Sequence, residues 1–189
     1  MTHHPHGAGS SSFQLIDTEK VIKALDLKPD TVLVDLGCGR GAYSLAMAEH
    51  IGPKGVIWAV DLWDEGIREL KEKVAAQGLT QIRPVLADAG DRLPLNDREA
   101  DICFMATVFH DLVHGNAHEG ALAEIKRVLK PGGVLAIVEF NKFDGQPGPP
   151  IHIKLSPAEL DGFISPHGFA KNRETGVGPH NYLALYTRS

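Results

Sequence analysis

The sequence predicts an α/β domain, a doubly wound and mostly parallel sheet with helices on both faces. Short apolar runs that suit buried strands begin at Val32, Val56, Ile82, Asp101 and Val134. Longer amphipathic segments separate these runs, and most boundaries carry glycine or proline. Alternating strands and helices are typical of a parallel sheet covered on both faces.

Composition indicates one globular domain that acts on a small molecule. The chain has 189 residues, of which 43% are hydrophobic and 23% are charged. The net charge of −5 gives no basic surface for nucleic acid. No apolar stretch approaches the roughly 20 residues of a membrane span. The charge and the short apolar stretches thus predict no nucleic-acid or membrane partner. Two cysteines, Cys38 and Cys103, cannot form a disulfide framework, which favours a cytoplasmic protein.

The N-terminal segment is polar and predicts a flexible arm over residues 1–16, followed by a single domain over residues 17–189. The arm contains His3, His4 and His6. Histidines at a terminus are more often solvated than metal-bound, so we predict no metal site there.

The first half of the domain predicts three strand–helix units after an initial helix. Asp17 is a suitable N-cap for that helix. The expected helices cover Thr18–Leu25, Ala42 to about His50, and Asp64–Gln77, and the expected strands cover Val32–Asp35, Val56–Val60 and Ile82–Leu86.

The second half predicts two more parallel strands and a closing antiparallel pair. Asn116 and Glu119 form a candidate capping pair for a helix that reaches about Leu129. Ser156 and Glu159 suggest a second helix start around Pro157. The expected strands cover Asp101–Met105, Val134–Val138, Phe169–Thr175 and Tyr182–Thr187, with a tight turn at 130–133.

The glycine-rich turn after the first strand is the main functional signal. Gly37, Gly39 and Gly41 alternate with other residues, two positions after Asp35. Glycine permits a tight backbone on which a ligand can lie, and the following helix offers unpaired N–H groups. The spacing also fits a dinucleotide fingerprint, so a nicotinamide-dependent oxidoreductase is an alternative. A carboxylate at Asp35 argues against it, because it would repel a pyrophosphate.

The run from Asp35 to Gly41 resembles motif I of the class I S-adenosylmethionine-dependent methyltransferases. Leu129–Leu135 is similar to a second signature of that family. The resemblance implies a seven-stranded sheet of order 3-2-1-4-5-7-6 with the last strand antiparallel, and S-adenosylmethionine as cofactor. The His-Asp-Leu sequence at 110–112 resembles the small-molecule branch near quinone-biosynthesis methyltransferases.

The resemblance also implies which residues bind the cofactor. Asp35 would lie near the ammonium group, Asp61 would accept from the ribose hydroxyls, and Asp88 would accept from the adenine amino group. Leu62 could pack on the adenine face. The full predicted set is Asp35, Gly37, Cys38, Gly39, Gly41, Asp61, Leu62, Asp88, Ala89 and Ala106.

Candidate catalytic residues follow the later strands, where ligands of open α/β sheets bind. His110 and Asp111 follow the fourth strand, and His110 suits a general base because imidazole titrates near neutrality. An orienting or loop-capping role for His110 is equally open. Glu139 and Asn141 could face the pocket or cap a turn. His152, after a Gly/Pro-rich loop, is a further candidate on the acceptor side.

A histidine metal site is not expected. His110, His114 and His118 are spaced to share one face of a continuous helix. Gly115 and Asn116 lie between them and are expected to interrupt such a helix.

The predicted function is transfer of a methyl group from S-adenosylmethionine to a small-molecule acceptor, by a monomer or homodimer. A non-catalytic module that binds S-adenosylmethionine or S-adenosylhomocysteine is the alternative. In proteins with motif I an N-terminal arm often closes over the ligand, so the arm over residues 1–16 is a possible lid.

Overall fold

The computed structural model describes residues 11–145 and 147–189. Most of the predicted arm, with His3, His4 and His6, therefore lies outside the described residues. The strands are β1 Val32–Leu36, β2 Val56–Asp61, β3 Ile82–Leu86, β4 Ala100–Ala106, β5 Leu129–Phe140, β6 Phe169–Gly176 and β7 Asn181–Arg188. The α-helices are α1 Thr18–Leu25, α2 Ala42–Ala48, α3 Asp64–Gln77, α4 Phe109–His114, α5 His118–Val128 and α6 Pro157–Ile164. Short 3₁₀ turns cover Phe13–Leu15 and Ser165–His167.

These strands form one sheet of order β3-β2-β1-β4-β5-β7-β6. The first five strands pair in parallel. Strand β7 runs antiparallel to both of its neighbours. The structure thus confirms the predicted fold class, the strand order and the antiparallel last strand.

Successive residues of the central strands point into two separate cores, as the pleat of a strand requires. Leu33 belongs to the core that α1, α2 and α3 cover. Val34 belongs to the opposite core, which α4, α5 and α6 cover. The helices therefore lie on both faces of the sheet and leave the ends of the strands for loops.

Two predicted helix starts are confirmed by their hydrogen bonds. The Asp17 carboxylate accepts from the N–H of Lys20 at 3.1 Å. At the start of α6, Ser156 and Glu159 form a reciprocal capping box. Each cap satisfies N–H groups that have no partner inside the helix.

The predicted Asn116 cap is wrong. Helix α5 begins at His118, and Ala117 at its N-cap makes no side-chain capping bond. Asn116 has φ 56° and its N–H donates to the carbonyl of Val113 at 3.1 Å, so it ends the preceding helix. Asparagine tolerates this left-handed conformation better than most residues. The end of α2 at Ala48 also precedes the expected His50.

The turn predicted at 130–133 lies within β5. That strand begins at Leu129, which pairs with Ala100, whereas Val134 pairs with Ile102. The intervening residues form a register shift, and Gly132 has φ 76°. Residues 130–133 thus form an irregularity inside the strand and not a turn before it. The strand begins five residues earlier than the expected start at Val134.

The histidines spaced for a helical metal face lie on two different helices. His114 ends α4 and His118 begins α5. Within residues 11–145 and 147–189, no group of three His, Cys, Asp or Glu side chains is arranged to hold a metal ion. None of the helices in that part of the chain is long and apolar enough to span a bilayer.

Candidate functional site

The glycine turn between β1 and α2 needs its glycines for different reasons. Gly37, Gly39 and Gly41 all have positive φ, between 55° and 78°. A Cβ on Gly37 would lie 2.5 Å from the Val108 side chain, and one on Gly41 would lie 2.4 Å from Leu70. No atom lies within 4 Å of a Cβ placed on Gly39. The turn therefore packs closely on its protein side and leaves Gly39 open to a ligand.

Asp61, the last residue of β2, holds this turn in place. One carboxylate oxygen accepts from the N–H of Gly39 at 2.7 Å, and the other accepts from the N–H of Trp63 at 2.8 Å. A carboxylate has about four lone-pair sites. Each oxygen therefore retains capacity for another donor, such as a ribose hydroxyl.

Asp35 lies beneath the turn and is only 2% exposed. Its carboxyl group accepts from the Ser44 hydroxyl of α2 at 2.5 Å. Burial is the main cause that raises the pKa of Asp35 to about 7, and the Ser44 hydrogen bond opposes the shift. The structure thus orients this carboxyl toward α2, and its contact with a ligand ammonium stays a prediction.

Cys38 lies within the turn, and Ala106 is the last residue of β4. The Cys38 side chain is buried in the core with α1, α2 and α3, and its N–H donates to the carbonyl of Val60 at 3.1 Å. Ala106 ends β4 and is half-buried. Neither position tests the predicted cofactor contacts.

Apolar surface lies exposed beside the acids at the ends of β2 and β3. The side chains of Leu62 and Leu86 are 45% and 50% exposed. Asp61 pairs with Leu86 in the sheet, so the two strand ends are adjacent. Asp88 is exposed and accepts from the N–H of Gly90 at 2.9 Å, and Ala89 is half-buried. An apolar surface edged by carboxylates suits a nucleoside.

His110 and Glu139 form a buried pair, which joins the start of α4 to the end of β5. The Glu139 side chain has 0% exposure and His110 has 5%. One Glu139 oxygen accepts from the His110 backbone N–H at 3.0 Å, and the other lies 2.7 Å from Nδ1 of the ring. The sequence left open whether Glu139 faces the pocket or caps a turn. In the structure its carboxylate accepts from the backbone at the start of α4 and also holds the His110 ring.

The charges around His110 favour its protonated form. Burial alone would lower its pKa, but hydrogen bonding and charge from Glu139, with a further contribution from Asp111, raise the pKa above its ordinary value. The Asp111 carboxylate lies 3.6 Å from Nε2, which is beyond hydrogen-bond distance. His110 is therefore a base of increased strength.

The other acceptor-side candidates are not joined to this pair. His152 is exposed, and no hydrogen bond or ion pair in the described part of the chain links it to His110 or Glu139. Asn141 donates its backbone N–H to the carbonyl of His180 at 2.8 Å. The structure thus groups His110, Asp111 and Glu139, and among the described residues it shows no such link from His152 to His110 or Glu139.

Lys154 is a buried residue that sequence reasoning missed. It is 1% exposed, and its ammonium donates to the carbonyls of Phe143 and Gly145 at 3.1 and 2.9 Å. Its Nζ also lies 6.0 Å from the centre of the Phe140 ring, which is 6.2 Å from the His110 ring. Lys154 therefore fixes the Gly/Pro-rich loop on the His110 side. Its position between Ile153 and Leu155 was the available signal.

Thr107 was also missed, and it lies directly after β4. It has φ 56°, an uncommon conformation for a β-branched residue that often marks functional sites. Its hydroxyl group lies 3.1 Å from that of Ser12, which in turn lies 3.3 Å from the Tyr43 hydroxyl. The segment before α1 is thereby connected to the end of β4 and the start of α2.

Comparison with known proteins agrees with this geometry. The family model described as "Methyltransferase domain" matches residues 34–137, which include the glycine turn and the β4–β5 region. A crystal structure of a SAM-dependent methyltransferase from Aquifex aeolicus superposes with a TM-score of 0.86 and 30% identity. That superposition covers 96% of this chain and 95% of the other.

Curated relatives share the same region. A ubiquinone/menaquinone biosynthesis C-methyltransferase UbiE from Cupriavidus metallidurans is 30% identical over 121 residues, 64% of this chain and 48% of the relative. The UbiE of Bordetella avium is 32% identical over 117 residues, 62% of this chain and 44% of the relative. The chain spans about half the length of these relatives. The match to the family model and the Aquifex structure confirm the resemblance seen in the sequence, and the chain belongs to the methyltransferase domain family.

Proposed function

We propose that the chain transfers a methyl group from S-adenosylmethionine to a small-molecule acceptor. The observation that carries this proposal is the open Gly39 turn tied to the Asp61 carboxylate. The residues fit the cofactor: Gly39 leaves room for it, Asp61 retains acceptor sites, and Leu62 offers an apolar surface. Family membership and the Aquifex neighbour support the same activity.

The bound cofactor would supply a methyl group activated by a sulfonium. The chain must then orient the acceptor in line with that methyl group and exclude water. Asp61 would hold the ribose hydroxyls, and the backbone around Gly39 would lie against the cofactor. Asp35 would compensate the ammonium charge from beneath the turn.

The acceptor side is proposed at the ends of β4 and β5. His110 and Asp111 lie there, and the Gly/Pro-rich loop that Lys154 fixes is on the same side. We propose His110 as the catalytic base with Asp111 beside it, and His152 as a residue of the outer acceptor site. The names of the UbiE relatives support a small-molecule acceptor.

We also propose that the arm over residues 1–16 closes over the site as a lid, ahead of the domain over 17–189. Supporting contacts come from its described end, where Ser12 is 4% exposed and contacts Tyr43 and Thr107. A cytoplasmic location is part of the proposal, since the thiols of Cys38 and Cys103 are buried and unpaired.

S-adenosylmethionine and S-adenosylhomocysteine are both expected to bind the protein much more tightly than NAD does. A carboxyl group beneath the turn complements an ammonium and disfavours a pyrophosphate. Titration calorimetry with the three ligands measures the difference. Tighter binding of NAD would exclude the proposed function. A second experiment is an acceptor screen with radiolabelled S-adenosylmethionine. If the protein binds this cofactor but methylates no acceptor, the non-catalytic module is favoured.

Asp88 is expected to select adenine. Asp88→Ala removes the acceptor for the exocyclic amino group, whereas Asp88→Asn retains a carbonyl oxygen in the same place. Asp88→Ala should therefore weaken S-adenosylhomocysteine binding about tenfold, in line with a hydrogen bond to a charged group, and Asp88→Asn should weaken it less. Asp91→Ala, at an exposed acid of the same loop, is the matched control. If both Asp88 variants bind like the parent protein, the assignment is wrong.

A further inference from the structure

In the part of the chain that the structure describes, the buried Glu139 carboxylate makes three hydrogen bonds, two with His110 and one with the backbone of Phe140. Besides the two contacts with His110, its second oxygen lies 3.3 Å from the N–H of Phe140, which donates to it. A fully buried carboxylate is costly unless its charge is paired and its lone pairs are occupied. The His110 ring supplies a side-chain hydrogen bond to this carboxylate and, when protonated, the opposite charge.

This geometry fixes the tautomer of His110. A carboxylate only accepts hydrogen bonds, so the nitrogen 2.7 Å from Glu139 must carry a proton. In the neutral ring the lone pair is then on Nε2. Two backbone N–H groups, those of His110 and Phe140, also donate to the Glu139 oxygens, which therefore act as acceptors on every side. The imidazole is thus held with its basic nitrogen turned away from Glu139.

We propose that Glu139 is a positioning residue that holds His110 with Nε2 ready to take a proton from the acceptor. The inference rests on the proposed function and narrows its acceptor class. The acceptor carries a dissociable proton whose removal activates its nucleophilic atom, as in a phenol or an enol, and it is not a tertiary amine or another proton-free nucleophile.

The proton and the electrons balance in this step. The acceptor atom forms a bond to the methyl carbon while the bond between that carbon and the sulfonium sulfur breaks, and the sulfur keeps the electron pair. The acceptor's proton moves to Nε2 of His110, giving an imidazolium paired with Glu139, and it passes to solvent before the next turnover.

The charged groups that face His110 act in the same direction. Glu139 approaches from β5 and Asp111 from its own helix, and the Phe140 ring beside it is uncharged. Both carboxylates stabilise the imidazolium. Removal of the Glu139 charge should therefore lower the pH at which His110 titrates.

Histidine NMR on the free protein tests this inference without an acceptor. Long-range ¹H–¹⁵N spectra report the tautomer and the titration of each ring, and His110→Asn identifies the His110 signals. We expect the Nδ1–H tautomer and a titration at higher pH than the ordinary pKa of imidazole, about 6.5. In Glu139→Gln the titration should move down by about one pH unit or more.

Glu124→Gln is the matched control, because it removes another buried glutamate, one that pairs with Arg127 on α5. It should leave the His110 titration unchanged. The inference is overturned if Glu139→Gln leaves the His110 titration where it is in the parent, or if the neutral ring carries its proton on Nε2. Neither result depends on cofactor binding, so failure of the proposed function is seen separately as a lack of S-adenosylhomocysteine binding.

Two probes test the acceptor class. Catechol carries dissociable protons and pyridine presents a proton-free nitrogen. With radiolabelled S-adenosylmethionine we expect methylation of catechol but not of pyridine. In Glu139→Gln the kcat should fall about tenfold or more at neutral pH, while S-adenosylhomocysteine affinity is unchanged. Methylation of pyridine, with or without methylation of catechol, contradicts the proposed class.

Discussion

His110→Ala is expected to lower methyl transfer by about 10²–10⁴-fold at saturating cofactor, the range typical of a lost general base. S-adenosylhomocysteine affinity should stay close to that of the parent protein, because the ring lies at the ends of β4 and β5 rather than in the Gly37–Gly41 turn. Turnover with radiolabelled cofactor and calorimetry measure the two quantities separately.

Two further variants separate chemistry from structure. His110→Ala leaves the buried Glu139 carboxylate without its imidazole, which costs stability of about 3–5 kcal/mol when the partner of a buried pair is lost. His110→Asn keeps a side-chain donor near Glu139 but cannot take a proton, so it should fold better and remain inactive. His114→Ala, at an exposed histidine of the same helix, should retain activity.

The pH profile gives a third criterion. Because the pKa of His110 is raised, its basic form is populated only above that value, and activity should increase with pH through a limb above about 6.5, the ordinary pKa of imidazole. The same raised pKa stabilises the fold at low pH, and this contribution is lost as pH rises through the folded value. A variant that binds cofactor poorly but turns over normally at saturation would show that His110 only shapes the pocket.

Local patterns in the sequence predicted most of the fold. The apolar runs of β1 to β4 are short and bounded by turns, and α1 and α3 have the expected bounds because their apolar spacing and end residues agree. The glycine turn could be predicted for the same reason. Its three positive φ angles are a local demand that few other residues meet.

The parts that were missed depend on contacts between distant segments. His110 and Glu139 are 29 residues apart, and their contact follows from the pairing of β4 with β5. The positive φ of Thr107 has no sequence signal at all. Asn116 carries the residue type of a helix N-cap, yet the path between α4 and α5 makes it a helix end. Local propensity does not distinguish these outcomes.

Asp61→Ala is expected to weaken S-adenosylhomocysteine binding at least tenfold. The change removes the carboxylate proposed to accept from two ribose hydroxyls, and hydrogen bonds to charged groups contribute roughly 1.5–3 kcal/mol each before water compensates. It also removes the acceptor for the N–H groups of Gly39 and Trp63. The turn should lose part of its preorganisation, so the affinity loss should exceed that of an isolated ligand contact.

Asp61→Asn separates the two contributions. Its carbonyl oxygen can still accept from Gly39 or from one hydroxyl, so the affinity should fall less than in Asp61→Ala. Glu72→Ala, at an exposed acid of α3, is the control and should bind like the parent. Thermal unfolding without ligand shows whether each variant keeps the fold. If Asp61→Ala is folded and binds S-adenosylhomocysteine with unchanged affinity, the Asp61 carboxylate does not contact the ribose and serves only to hold the Gly39 turn against β2.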